Sequence, residues 1–277
     1  MMARSLCFAR SIAATIALLT ILGVQGLLAQ EDYRSLDAGR PILVTDAFPL
    51  KHKEWEIQFG VRGRVAEDRR GASGALAIEA GILRNTAFGV EFEPAVEREG
   101  GRSANGVEAL SLHFLHNVVR ESWGWPAVAV RVDADAPIGG RLGRDSWGIS
   151  SQLVATRTLA SGLRFHGNGG YAAAAARDGG DAWVAGLAAD YALGFSGRML
   201  VADVYTEIPA SGGRSRLWLE VGARVQISNT SVLDLGLASR ADEWRQGANM
   251  ELVLGISRTF GIRSLTRVPA MPPPEIR

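Results

Sequence analysis

Ser111 and His113 stand two residues apart, and so do His166 and Asn168. A serine hydroxyl, a histidine base and an amide to orient it are the parts of a nucleophilic hydrolase of the phospholipase type. The spacing tells against that use. Residues two apart on an extended chain share one face, and in each pair that face is the polar one. Leu110, Leu112 and Phe114 alternate with Ser111 and His113, while Leu163, Phe165 and Tyr171 fall out of phase with Arg164, His166 and Asn168. A nucleophile that attacks lipid has to stand on the apolar face instead. Neither a nucleophile elbow nor a zinc-type histidine spacing accompanies the pairs. Catalysis is therefore not expected, and no cofactor or metal site is read.

The charged residues keep the same spacing. Arg62, Glu79, Glu91, Glu93, Arg131, Asp133, Asp203, Glu207, Arg216, Glu220, Arg224, Asp234 and Glu251 join His113, Arg164 and His166 at positions that alternate with apolar side chains. Both signs occur in similar numbers, so no ion selectivity is indicated. Lining a common interior, these side chains form either a polar path for a small-molecule substrate or a charge network that fills and rigidifies a narrow barrel.

The elements that carry them repeat one pattern. In residues 54–64, Trp55, Ile57, Phe59 and Val61 are apolar and every residue between them is polar or glycine, a period of two that marks a strand with one apolar face. Similar strands are predicted at 74–83, 87–97, 107–117, 127–136, 145–157, 163–172, 182–192, 198–207, 216–227, 232–240 and 248–260. That of 216–227 is the most regular, with Leu217, Leu219, Val221, Ala223, Val225 and Ile227 against Arg216, Glu220, Arg224 and Gln226. The strand at 182–192 carries few charges, which leaves its facing open. Arg84-Asn85-Thr86 and Ser228-Asn229-Thr230 are turn sequences suited to antiparallel neighbours. Tight links are expected after strands two, six, eight and ten, and longer Gly-, Arg- and Asp-rich links after the odd-numbered ones. Trp123 and Trp125, in the link after strand four, suit a membrane–water interface.

Composition (47% hydrophobic, 21% charged) does not distinguish this chain from a soluble protein. The N-terminus is more telling. Arg4 and Arg10 precede an apolar run over 12–22, and Leu27-Leu28-Ala29 precedes Glu31-Asp32, which reads as a signal peptide cleaved near Ala29. An uncleaved anchor is the alternative, although Thr20, Gly23, Gln25 and Gly26 interrupt the run. Loss of Arg4 and Arg10 takes the formal charge from +1 to −1, so no basic footprint for nucleic acid is present. Cys7, the single cysteine, is lost with the signal.

Twelve strands of this length, an even count and alternating link lengths predict an all-β fold, a 12-stranded antiparallel up-and-down transmembrane barrel. A backbone amide left unpaired in hydrocarbon costs several kcal/mol, so such a sheet has to close. A soluble β-sandwich or lipocalin-like barrel also fits the alternation, but the many charges opposite the apolar face favour a wet lumen. The predicted organisation is a signal peptide over 1–29, a periplasmic or lumenal segment over 30–53, a barrel over 54–260 and a tail over 261–277. Bilayer lipids and, during assembly, the barrel insertion machinery are the expected partners.

Residues 39–48 (Gly-Arg-Pro-Ile-Leu-Val-Thr-Asp-Ala-Phe), followed at once by 54–60 (Glu-Trp-Glu-Ile-Gln-Phe-Gly), resemble the N-terminal signature of the outer-membrane family called the MetA-pathway of phenol degradation, or transporter-like, family. Pro137-Ile138-Gly139-Gly140 and Asn168-Gly169-Gly170-Tyr171 extend the similarity, and Phe260 resembles the aromatic end of a barrel assembly signal. The resemblance implies a channel or uptake protein of the bacterial outer membrane for small hydrophobic or aromatic compounds. A plugged barrel without transport is the alternative. The segment holding Arg40, Pro41, Thr45 and Asp46 carries the most specific part of the signature. It is also long enough to fold inward as a plug or gate.

Overall fold

The computed structural model describes residues 32–37, 39–66, 69–176, 180–194, 196–243 and 249–261. The expected signal peptide and the chain from 262 onward lie outside them. Among the described residues twelve strands form one closed antiparallel barrel in which each strand pairs with its sequence neighbours and the first with the last. They are β1 (Glu54–Val65), β2 (Arg69–Leu83), β3 (Thr86–Glu99), β4 (Arg102–Val119), β5 (Ala127–Asp135), β6 (Gly148–Thr158), β7 (Arg164–Ala173), β8 (Ala182–Ala192), β9 (Arg198–Pro209), β10 (Arg216–Ser228), β11 (Ser231–Arg240) and β12 (Met250–Gly261).

The period of two becomes two faces of one wall. On β10, Leu219 and Val221 are 47% and 56% exposed on the outside, whereas Glu220 and Arg224 are 3% and 0% exposed on the inside. An apolar exterior around a polar interior is the inverse of a soluble core and is what a hydrocarbon solvent selects. This excludes the sandwich, which would have buried Leu219 and Val221. The strand with the open facing, β8, alternates as regularly as any, with Trp183 and Leu187 outside and Val184, Ala188 and Asp190 inside. Exposed aromatic residues collect at both rims. Trp123 and Trp125 stand in the β4–β5 link, and Trp147 and Trp183 at the far ends of β6 and β8, where the half-buried Tyr171 packs against Trp183, as interfacial aromatic residues do.

The sheet departs from expectation at β2–β4. The links after the first and third strands, read as long polar loops, are short because the strands run on beyond the apolar stretch. The β3–β4 connection is only Gly100 and Gly101, with φ of 53° and 81°. Positive φ at both central residues is the signature of a type I′ hairpin turn, which glycine adopts without steric cost. The extensions carry Arg69, Arg70, Glu97, Arg98, Glu99 and Arg102, so hydrophobic alternation is silent there although the ladder continues. A register shift where Glu93 pairs Ala109 and Pro94 pairs Val107 leaves Glu108 as an inserted residue, and this bulge relieves the flaw that Pro94 makes in the ladder.

Residues 33–37 and 39–50 occupy the interior. The chain enters beside the β6–β7 link, rises to Arg40 and Pro41, joined by a cis peptide bond, and returns to the start of β1. Its apolar side chains build two small cores against the wall. Leu36, Ile42 and Val44 pack with Ala188, Met199 and Val201, and Ala47 packs with Ala127, Ala129 and Val154. Ala127, Ala129 and Ala188 leave room for the inserted chain.

Candidate functional site

The inserted segment joins no ladder of the barrel wall, so beyond a few backbone bonds, such as Asp46 N–H to the Leu36 carbonyl (3.2 Å) and Lys53 N–H to the Gly81 carbonyl (2.8 Å), its backbone polar groups must be met by side chains. Asp46 sets its shape. One carboxylate oxygen accepts from the Leu36 N–H (3.0 Å) and the other from the Phe48 N–H (2.9 Å), while the Thr45 hydroxyl donates to the Leu36 carbonyl (2.6 Å). The wall supplies the rest. Val44 N–H donates to Asp203 (2.9 Å), Leu43 N–H to Glu220, and Ala47 N–H to the Thr156 hydroxyl (3.0 Å). The Asn117 amide donates to the Ala47 carbonyl (2.8 Å). Asn168, with its amide turned to suit both partners, accepts from Thr45 N–H (3.1 Å) and donates to the Thr45 carbonyl (3.0 Å). Arg40 donates to Gln58, and Arg62 to the Gly39 carbonyl (2.9 Å).

Beneath Asp46 lies a buried ionic cluster. Arg164 meets Asp190 at 2.7 Å and Asp46 at 3.6 Å, and donates to the Arg34 carbonyl. His166 Nε2 is 2.7 Å from Asp190, and its Nδ1 is 3.0 Å from the Thr156 hydroxyl. With the proton on Nε2, the bonds run in one sense from Ala47 N–H through Thr156 and His166 to Asp190. A second pair lies higher, with Arg224 2.7 Å from Asp234 and 3.7 Å from Asp37 on the segment.

Above the segment the barrel is open. A cavity of about 1050 Å³ runs from Arg40, Leu43 and Thr45 to the far rim. Its wall pairs opposite charges: Arg62 with Glu251 (2.6 Å), Arg64 with Glu108 (2.9 Å), Arg131 with Asp133 (2.7 Å), Arg144 with Asp135 (3.2 Å) and Arg216 with Glu207 (3.1 Å). Glu91 and Glu93 also line it, without an ion pair among the described residues. Tyr205 and Trp218 add an aromatic face with rings 6.0 Å apart, and the Arg240 guanidinium lies 5.5 Å from the Trp218 ring.

The predicted interior residues thus fall into two groups. Asp203, Glu220, Arg224 and His166 are engaged with the inserted segment or with the clusters under it. Glu91, Glu93, Arg131, Asp133, Glu207 and Arg216 face the open cavity, as does Arg62, which also bonds Gly39 of the segment. Arg40, Pro41, Thr45 and Asp46 are all on the inserted segment, with Arg40, Thr45 and Asp46 buried. His113 lies between the groups, its ring covering Gly89, where a Cβ would fall 2.0 Å from Nε2. Ser111 donates to Asp135 (2.7 Å) rather than to a histidine, so no hydrolase pair is assembled.

Sequence reasoning missed Asp190 and a glycine recess. Asp190 faces Arg164 across the β7–β8 register, but the sparse charges of β8 hid which face it occupied. Gly60, Gly222, Gly236 and Gly255 all fall in interior phase on adjacent strands, and together they receive Arg40 and Pro41. A Cβ on Gly236 would lie 2.2 Å from the Pro41 carbonyl oxygen, and one on Gly222 2.8 Å from Pro41 Cβ. Glycine recurring in the polar phase of neighbouring strands was the available signal.

At the far rim Asp242 ties the strand ends together, accepting from Leu217 N–H (3.1 Å) and from Arg240 (2.7 Å). Partial burial raises its pKa, but the bonds from Arg240 and Leu217 outweigh that, and the carboxyl lies below its ordinary value. A depressed folded pKa gives stability that is present above the unfolded value of about 3.9 and is lost as pH falls through the folded one. Exchange protection of the Leu217 amide should therefore persist on acidification past the ordinary carboxylate range and collapse only below it. Asp242→Ala should abolish that protection at every pH, as read by hydrogen exchange.

A closed twelve-stranded barrel with an apolar exterior, aromatic rims and a charged interior defines the transmembrane β-barrel class. Residues 37–247 match the family described as "Putative MetA-pathway of phenol degradation", and the chain belongs to it. Among solved structures it is similar to an outer membrane channel from Pseudomonas putida F1, at 13% identity and a TM-score of 0.57, over 81% of this chain and 100% of that one. It is also similar to the KdgM porin in complex with disordered oligogalacturonate, at 9% identity and a TM-score of 0.50, over 74% and 99% of the two chains. At these identities the likeness is one of fold. No curated protein sequence matches the chain.

Proposed function

We propose that this protein is a channel of the bacterial outer membrane whose lumen is closed by its own residues 32–53, and that the cavity above them receives a small aromatic solute bearing a polar or charged group. The observation that carries the reading is the arrangement along the axis: a cavity open at the far rim, ending on a segment whose upper part, residues 39–47, is held to the wall by side-chain bonds and apolar packing rather than by ladder bonds. Side-chain bonds can be exchanged for bonds to water or solute without disturbing the barrel ladder. A barrel built only for rigidity has no need of a large cavity. The solute class follows from the lining. Tyr205 and Trp218 offer ring contacts beside Arg216 and Arg240, whereas a wholly apolar compound would gain little among five wall ion pairs. The family's name is in keeping with an aromatic solute. Bilayer lipids on the apolar exterior and the insertion machinery at assembly are the partners this role entails. No enzymatic step is assigned, since Ser111 is bonded to Asp135 and His166 to Thr156 and Asp190.

The test is conductance in planar bilayers. The intact chain is expected to show small or infrequent openings, and a chain lacking residues 32–50 a large and steady conductance. If the shortened chain folds, by heat-modifiable migration, and conducts no better than the intact one, the plugged structural reading replaces the channel.

A further inference from the structure

The exterior of the β2–β4 hairpins carries a feature that transport does not use. On β3 the outward residues Phe88, Val90, Phe92 and Val96 are exposed apolar side chains, and the next outward residue is Arg98. On β2 the outward series of Ile82, Ile78 and Leu76 likewise ends, after Gly74 and Ala72, at Arg70. The register sets Arg70 directly opposite Arg98, and Arg98 opposite Ser103, whose carbonyl accepts from Arg141 (3.4 Å). Arg70, Arg98 and Arg141 are all exposed. The neighbouring carboxylate Glu97 points elsewhere, pairing with Arg69, and both line the cavity; Glu99 stands opposite Arg69 and Arg102 in the register rather than opposite Arg70. Among the described residues no carboxylate pairs with Arg70 or Arg98.

Like charges set directly opposite on a sheet are destabilising. Here they lie at the edge of the apolar band, and Trp147, Tyr171 and Trp183 mark the same rim on β6–β8. A guanidinium is the side chain suited to phosphate, which it can bind through two parallel N–H···O bonds. We infer that Arg70, Arg98 and Arg141 form an exterior docking site for the phosphate groups of a phosphorylated glycolipid in the outer leaflet, whose acyl chains lie along Phe92, Val96 and Leu76. The inference rests on the outer-membrane reading above, because only a membrane places acyl chains against that face.

The purified full-length chain in detergent should bind bis-phosphorylated lipid A more tightly than its fully dephosphorylated form, measured by native mass spectrometry. Replacing two phosphate-binding guanidiniums, in R70Q/R98Q, should weaken binding of the phosphorylated lipid about tenfold. R84Q, which removes an exposed arginine at the opposite rim, should leave it unchanged. Heat-modifiable migration checks that each variant is a folded barrel. Equal binding by R70Q/R98Q and the parent overturns the site, as does an equal loss in R84Q. Displacement of the lipid by an equal concentration of inorganic phosphate also overturns the lipid assignment and leaves a simple anion site. Membrane fractionation of the parent chain separates the two readings. Recovery outside the outer membrane overturns the channel proposal, whereas recovery in it with arginine-independent lipid binding overturns only this one.

Discussion

Valine in place of Gly236 is expected to drive Arg40 and Pro41 out of their recess and to raise the conductance of the barrel toward that of the chain lacking residues 32–50. The side chain would begin 2.2 Å from the Pro41 carbonyl oxygen, and Gly222 across the ladder leaves no more room. One of the two must move. Gly236 is fixed by ladder bonds to β10 and β12, while Pro41 has no N–H and lies at the top of a segment without ladder bonds. Overpacking of a well-filled site costs about 1–3 kcal/mol, and moving the segment relieves it where moving the wall does not. Gly63→Val is the control, because nothing lies within 4 Å of a Cβ there. Single-channel recording of the two variants decides the matter. If Gly236→Val folds and conducts like Gly63→Val, the segment does not yield at this point.

The contrast between Gly236 and Leu219 shows which parts of this protein can be read without a structure. Leu219 belongs to a pattern, since six apolar residues in alternate positions determine facing whatever they touch, and the barrel follows from twelve such patterns and the need to satisfy backbone amides in lipid. The hairpin ends beyond the apolar band carry no such pattern, and Arg69 to Ser73, Arg98 to Glu99 and Arg102 to Asn105 read as loop although they are ladder. The inserted segment lies at an intermediate level. Its position before β1 and its Pro-broken sequence suggested that it could fold inward, but nothing in Asp203 or Glu220 says that their partners are the amides of Val44 and Leu43. Those contacts are made across more than 150 residues, by side chains whose charge alone suggested a solute path. Gly236 is the extreme case. Its role depends on the absence of a side chain, and only the approach of Pro41 gives that absence meaning.

The buried cluster under Asp46 supports the second large effect. Arg164→Leu should release the segment, because it leaves Asp190 and Asp46 without their shared cation in a site that is nearly closed to water. Side-chain exposures of 6% for Arg164 and 0–1% for the two carboxylates leave little solvent screening, and breaking one partner out of a buried pair costs about 3–5 kcal/mol. The segment also loses the bond from Arg164 to the Arg34 carbonyl. Much of that cost is the stranded carboxylate rather than the worth of the bridge, so Arg164→Leu combined with Asp190→Leu should recover part of it, with a coupling of about 0.5–3 kcal/mol. Recovery will be incomplete, because Asp46 still loses Arg164 and His166 loses its acceptor. Hydrogen exchange at the Ala47 amide, which is held by Thr156 two bonds from Asp190, reports the change where the segment meets the wall. The single variant should exchange fastest, the double variant more slowly and the parent most slowly. Strict additivity of the two leucine substitutions would mean that Arg164 and Asp190 act separately, and would leave Asp46 held by its own backbone bonds rather than by the cluster.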